Sequence, residues 1–173
     1  MIHLLDIGII EVAPLLLAAV RSRVSVAMLS DAIANSPVWD RVRERGIEPG
    51  ERKVVIYWGE SDDEVTVDIG VEVTEPFRGD DDLQCVQAPG GRAVTATHTG
   101  SAHLLPSVHE RIRAWSAEGE RPLSGVNWEV SVEGSEDASC NQTQVFYLLQ
   151  EPKAKLPARK KWPRFNERAA RSF

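Results

Sequence analysis

The feature that most constrains this chain is an order of patterns that occurs twice. Residues 7–12 and 15–24 are apolar and partly β-branched with Pro14 between them, which predicts strand, turn, strand. From about Ala27 to Arg45 the apolar residues Leu29, Ile33, Val38 and Val42 recur near helical spacing, with Pro37 as a break and Arg41, Arg43, Arg45 and Gly46 as the expected C-terminus. Residues 52–58 and 65–73 then predict a hairpin across the acidic turn 60–64. After a Pro/Gly/Asp-rich linker at 75–82, Ala88-Pro89 repeats Ala13-Pro14 and the pattern starts again. A strand at 92–98 follows, then a helix from Gly100-Ser101 to Glu118 with Leu104, Leu105, Val108, Ile112 and Trp115 on one face and Gly119 as its stop. Strands at 126–132 and 143–149 close a second hairpin across the polar loop 133–141.

The two units lie 73 to 75 residues apart, and Trp39–Gly46 loosely matches Ile112–Gly119. The expected fold class is therefore α+β: two β-α-β-β units of the SHS2-like kind, antiparallel sheets side by side, one helix packed on each, and a ligand groove between them. Repeat one spans about 7–74 and repeat two about 83–150, with 1–150 as the ligand-binding domain and 151–173 as a basic C-terminal tail.

Length and charge narrow the function. A chain of 173 residues with 42% hydrophobic content suits one domain with a sizeable core. The net charge of -6 hides an asymmetry: residues 151–173 hold eight Lys/Arg and two acids, leaving twelve basic and 24 acidic residues in the body. An acidic body argues against nucleic acid as the main partner and suits cationic or neutral ligands, with the tail lying on the oppositely charged body. Asp6, Glu11 and Pro14 interrupt the apolar N-terminus and the first basic residue is Arg21, so neither a signal peptide nor a membrane span is expected, and the chain reads as cytoplasmic. Cys85 and Cys140 have no metal or disulfide-scaffold spacing, and Cys85 reads as a small buried thiol. His98, His103 and His109 stand five and six residues apart, off any common helix face, so no metal and no cofactor are expected.

In residues 126–132, alternation sets Val126, Trp128, Val130 and Val132 on one face and Asn127, Glu129 and Ser131 on the other. The apolar face is the natural partner of the helix, which would turn Glu129 away from it, into solvent or into the shared groove. Tyr57 is the counterpart of Glu129 in the first unit, opposite Val54, Ile56 and Trp58. A phenol and a carboxylate facing each other across a cleft could bind a polar or cationic ligand.

Several short motifs occur in order: Val55-Ile56-Tyr57-Trp58, Asp68-Ile-Gly-Val-Glu-Val73, Ala88-Pro-Gly-Gly-Arg-Ala-Val94, His98-Thr-Gly100, Ala114-Trp115 and Glu129. Together they resemble the GyrI-like family over roughly Ile10 to Gln150. The resemblance implies a stand-alone small-molecule (multidrug) binding protein that captures lipophilic, cationic aromatic compounds. Glu129 would be the counter-ion of a groove that also draws on Tyr57, Trp128, Trp115, His98, Phe146, Tyr147 and Trp39. It leaves two alternatives: a hydrolase of cyclopropanoid or electrophilic drugs with Glu129 and Tyr57 as its catalytic pair, and a protein-binding module like the gyrase-inhibitory members. Ser131 and Ala102 stand where the family often has aromatics, which opens space in the groove. Only about a dozen residues precede the first motif, so direct transcriptional control through a preceding helix-turn-helix is not expected.

Overall fold

A computed structural model describes residues 5–60, 63–132 and 141–152. The basic tail and the loop across the second hairpin fall outside these residues, and so does Cys140.

Alternation builds the strands. In β4 (Glu64–Val73), Val65, Val67, Ile69, Val71 and Val73 are all buried on one face. Gly70, on the opposite face, lets β4 approach β2 (Leu16–Ser25) closely, since a Cβ there would lie 3.2 Å from both the Ala18 carbonyl and the Ala19 Cβ. The other strands are β1 (Ile7–Val12), β3 (Pro49–Glu60), β5 (Gln84–Gln87), β6 (Gly91–Thr99), β7 (Leu123–Val132) and β8 (Gln142–Leu149). Every pairing among them is antiparallel, and the eight form one sheet in the order β1-β6-β8-β7-β3-β4-β2-β5.

The expected pair of separate sheets is thus one continuous sheet in an α+β fold. The join is the β3–β7 ladder, in register from Arg52↔Val132 to Tyr57↔Asn127. β5 falls in a stretch with no strand signal of its own. It precedes β6 in the chain but pairs with β2, just as β1 precedes β2 but pairs with β6. The links that carry these strands touch: Ala88 N–H donates to the Leu15 carbonyl at 2.8 Å, and Gly90 lies against Pro14.

Pro37 does break the first helical stretch, into α1 (Leu29–Ala34) and α2 (Val38–Glu44), and Gly46 at φ 64° follows the second. A 3-10 turn at Ala102–Leu104 leads into α3 (Leu105–Glu118), whose stop is carried less by Gly119 (φ -90°) than by Glu120, in the left-handed region at φ 52°. All three helices lie on one face of the sheet. There α1 and α2 cover β2 and β4, burying Val38 and Val42 against Val55, Val67 and Val71. α3 covers β6 and β8, burying Val108 and Ile112 with Val94, Ala96 and Val145.

The opposite face is also a core. Leu17, Val54, Ile56, Ala93, Trp128 and Phe146 form one buried cluster, with Val12 of β1 and Val86 of β5 packed against it. Residues from strands at both ends of the sheet order meet there, so the sheet curls over that face. At its margin Asp68, 1% exposed, accepts hydrogen bonds from Arg21 Nε and Nη2 at 2.7 and 2.8 Å and from Trp58 Nε1 at 2.7 Å. The bond to Asp68 holds the Arg21 guanidinium above its usual pKa. Nearby, Arg52 pairs through two nitrogens with Glu72 and holds that carboxyl below the usual glutamate range. Among the described residues no helix is long and apolar enough to cross a membrane.

Candidate functional site

With α1 and α2 over one half of the sheet and α3 over the other, the central strands β3 and β7 floor a gap between helices. A cavity of about 420 Å³ occupies it. Lys53 and Val55 of β3, Glu129 and Ser131 of β7 and Thr143 of β8 line its base; Ile33 of α1 stands on one side, Ala102 and Leu105 on the other. The space where the two halves meet is thus bounded by helices as well as strands, and its volume falls in the range of small-molecule pockets.

Glu129 sits there on the same face as α3, not turned away from it. Alternation grouped Asn127, Glu129 and Ser131 correctly, but the apolar face of β7 packs into the curled core, so the Glu129 face receives the helix. His109 of α3 holds the carboxylate, with Nε2 2.7 Å from Glu129 Oε1 and both side chains 13% exposed. The other ring nitrogen, Nδ1, is 2.7 Å from the Tyr147 hydroxyl, to which Arg113 Nη1 donates at 3.3 Å. With that oxygen accepting from Arg113, the phenol hydrogen is best used toward Nδ1, and the Nε2 hydrogen toward Glu129. Edge-to-face packing against Tyr57 and Tyr147, at centroid distances of 6.1 and 5.5 Å, fixes the imidazole plane. One carboxylate oxygen is therefore tied to the wall, and Glu129 is among the residues that line the cavity.

Tyr57 shares the Glu129 face but does not confront it across a cleft. The two lie on neighbouring strands, where Glu129 pairs with Val55 and Tyr57 with Asn127. Tyr57 is 8% exposed and reaches the site through the His109 ring. Tyr147 is likewise brought to Glu129, through His109. His98 is on this face too, with Nε2–H donating to the Ser101 carbonyl at 2.9 Å, directly opposite Thr143 in the β6–β8 ladder.

The remaining expected groove residues lie elsewhere. Trp128 and Phe146 stack at 5.1 Å in the opposite core, because even-numbered positions of β7 and β8 face away from the helices. Trp115 sits under the Arg121 guanidinium, 3.9 Å from its ring centroid, beside a different cavity with Leu5 and Ile7. Trp39 on α2 packs against the first-half core. Among the described residues, no aromatic side chain lines the Glu129 cavity. His109 and Lys53 were missed. The signal for His109 was its place on α3, four residues after Leu105 and three before Ile112, at the edge of the apolar stripe. Lys53 shares the parity of Val55 and Tyr57.

A family model described as GyrI-like small molecule binding domain matches residues 6–138. No curated protein matches the sequence. Among solved structures, the C-terminal domain of EcmrR is similar at a TM-score of 0.72 and 14% identity, over 86% of this chain and 99% of that one. In the EcmrR–DNA complex the match spans 59% of the EcmrR chain. SAV2435 bound to tetraphenylphosphonium matches at a TM-score of 0.59 and 12% identity, over 84% of this chain and 94% of that one. A hydrolase encoded by lin2189 from Listeria innocua matches at 0.51 and 10%, over 84% and 92%. At these identities the likeness is one of fold.

Proposed function

The chain belongs to the family of GyrI-like small molecule binding domains, and from that premise we propose that it takes its ligand in the cavity between α1 and α3, with Glu129 receiving the ligand's cationic or hydrogen-bond-donating group. The observation that carries this reading is the Glu129 carboxylate on the floor of a 420 Å³ cavity, tied by one oxygen to His109. Ile33, Val55 and Leu105 supply apolar area for the body of the ligand, and a partly desolvated carboxylate attracts a cation more strongly than one in open water. The tetraphenylphosphonium bound by SAV2435 supports a cation as one ligand chemistry. Drug capture, sensing and a cytoplasmic site of action follow from this reading as proposals. So does the division into a binding domain at 1–150 and a basic tail at 151–173. A two-repeat origin is supported by the strand order, which runs β4, β2, β5 and β8, β6, β1 outward from the β3–β7 pair.

Fluorescence anisotropy with the cationic dye rhodamine 123 tests the site. Glu129→Gln, nearly isosteric and uncharged, should weaken binding about tenfold or more, the equivalent of ~1.4 kcal/mol. Equal binding by the variant would remove Glu129 from the site.

A hydrolase is the second reading, favoured by the hydrogen-bonded series Tyr147–His109–Glu129. Through His109 the phenol and the carboxylate can exchange a proton, which lets Glu129 act as general acid toward an electrophilic ring or as general base on water. Mass spectrometry of a cyclopropanoid compound incubated with catalytic amounts of protein separates the two. Unreacted compound is the outcome expected of a binding protein, and a product one water heavier that Glu129→Gln fails to form would establish the hydrolase.

A further inference from the structure

A larger cavity, of about 840 Å³, lies at the other end of α3, and among the described residues it shares no lining with the one at Glu129. Ile9 of β1, Arg92 of β6, Leu149 of β8, and Arg121 and Pro122 beyond α3 line it. Arg121 is held in place by its surroundings. Glu120, in the left-handed region at φ 52°, turns the chain back after the helix. The Arg121 guanidinium then lies over Trp115, 3.9 Å from the ring centroid, with Nη1 donating to the Trp115 carbonyl at 3.3 Å. Gly119 makes this path possible. Its φ of -90° suits any residue, yet a Cβ there would overlap the guanidinium. The glycine that reads in the sequence as a helix stop is thus required by the side chain of Arg121.

The ion pairs single out the same place. Arg21, Arg23, Arg41, Arg43, Arg45 and Arg52 each pair with a carboxylate. Among the described residues Arg92 and Arg121 do not, although the body holds twelve basic and 24 acidic residues. Arg92 stands opposite Glu11 in the β1–β6 ladder without forming an ion pair with it. Two guanidinium forks on one cavity match a carboxylate, which an arginine can bind through two nitrogens. Glu151 also lines the cavity and disfavours a multiply charged anion. Ile9, Pro122 and Leu149 add apolar area beside the two charges.

We propose that this cavity is a second ligand site, independent of Glu129, for an organic monoanion: a carboxylate held by Arg92 and Arg121, joined to an apolar body against Ile9, Pro122 and Leu149. Gly119 and Glu120 serve the site by setting Arg121. The two ends of α3 then serve ligands of opposite charge, a cation at Glu129 and an anion here.

The fluorescent probe dansylamino-undecanoate and its methyl ester test the proposal on the full chain. Wild-type protein should bind the acid about tenfold or more tightly than the ester. Arg92→Gln and Arg121→Gln should each bring the two affinities within about threefold of each other, by weakening the acid. Gly119→Ala, which keeps both arginines but displaces one, should reduce the preference for the acid, and Glu129→Gln should leave it unchanged. Circular dichroism checks that each variant is folded, and Arg92, on an exposed strand position, is the less disruptive of the two arginine substitutions. Equal affinities in wild type, a preference for the ester, no binding of either probe, or a preference that survives both arginine substitutions overturns the site. A preference lost in Glu129→Gln overturns it too, by moving the anion to the other cavity. A full preference in Gly119→Ala overturns the positioning of Arg121.

Discussion

Asp68 and Glu129 are both acids on alternating strands, and alternation alone does not distinguish them as one structural and one lining a cavity. Their neighbours do. Asp68 is enclosed by three donors from Arg21 and Trp58, and all its contacts are internal. Asp68→Asn would turn a donor toward at least one of those donors and leave it unpaired, at a cost of about 1–3 kcal/mol. Arg21 stays partly exposed, so water takes up some of its charge and the cost should not exceed that range. Urea denaturation measures it, and an unchanged midpoint would contradict the assigned role. Glu129 was legible as a candidate because alternation separates it from Trp128 and because the family resemblance singles it out. His109 was not, because its histidine spacings were weighed for metal binding while its partners, Glu129 and Tyr147, come from strands 20 and 38 residues away. Such contacts are set by packing of α3 on the sheet and leave no local pattern.

At the scale of elements, the helices and most strands follow from periodicity, and the strands pair where alternation allows. What alternation does not encode is which face of a strand meets a helix. In β3 and β7 one face looks toward the helices and the cavity between them and the other lies inside the curled sheet, and the apolar side chains Val54, Ile56 and Trp128 fill the second. The apolar face was therefore identified correctly and assigned to the wrong layer. β5 escaped for a different reason: four residues, Gln84–Gln87, with one β-branched side chain, carry too little pattern to stand out. Its position matters because the links before β2 and before β6 cross in contact. A Cβ on Gly90 would lie 2.7 Å from Pro14 Cδ and 3.0 Å from its nitrogen, so Gly90→Ala forces the two links apart. The expected cost is about 1–3 kcal/mol. Gly8→Ala, which meets nothing within 4 Å, should stay within about 0.5 kcal/mol. Thermal denaturation of the two variants compares them directly, and equal melting temperatures would show that the crossing is not tightly packed.

For the whole molecule, one sheet with helices on one face explains why a groove exists at all. The helices of each half cover the outer strands of that half, and the central pair β3–β7 is left as a floor with walls on both sides. The doubled pattern in the sequence carried that much, since a cleft was expected where the halves meet. The continuous sheet was not foreseen, because hydrogen bonding between β3 and β7 is a long-range pairing without a turn to announce it. Charge completes the picture at this scale. The cavity places the Glu129 carboxylate within a body of twelve basic and 24 acidic residues, a setting that favours a cationic ligand in the proposed site. The most direct measurement is a two-dimensional amide NMR titration of the labelled protein with rhodamine 123. The account predicts shifts concentrated at Lys53, Val55, Ala102, Glu129, Ser131 and Thr143, with Trp115 and its neighbouring cavity unaffected; shifts centred on Trp115, Leu5 and Ile7 and absent around Glu129 would contradict it.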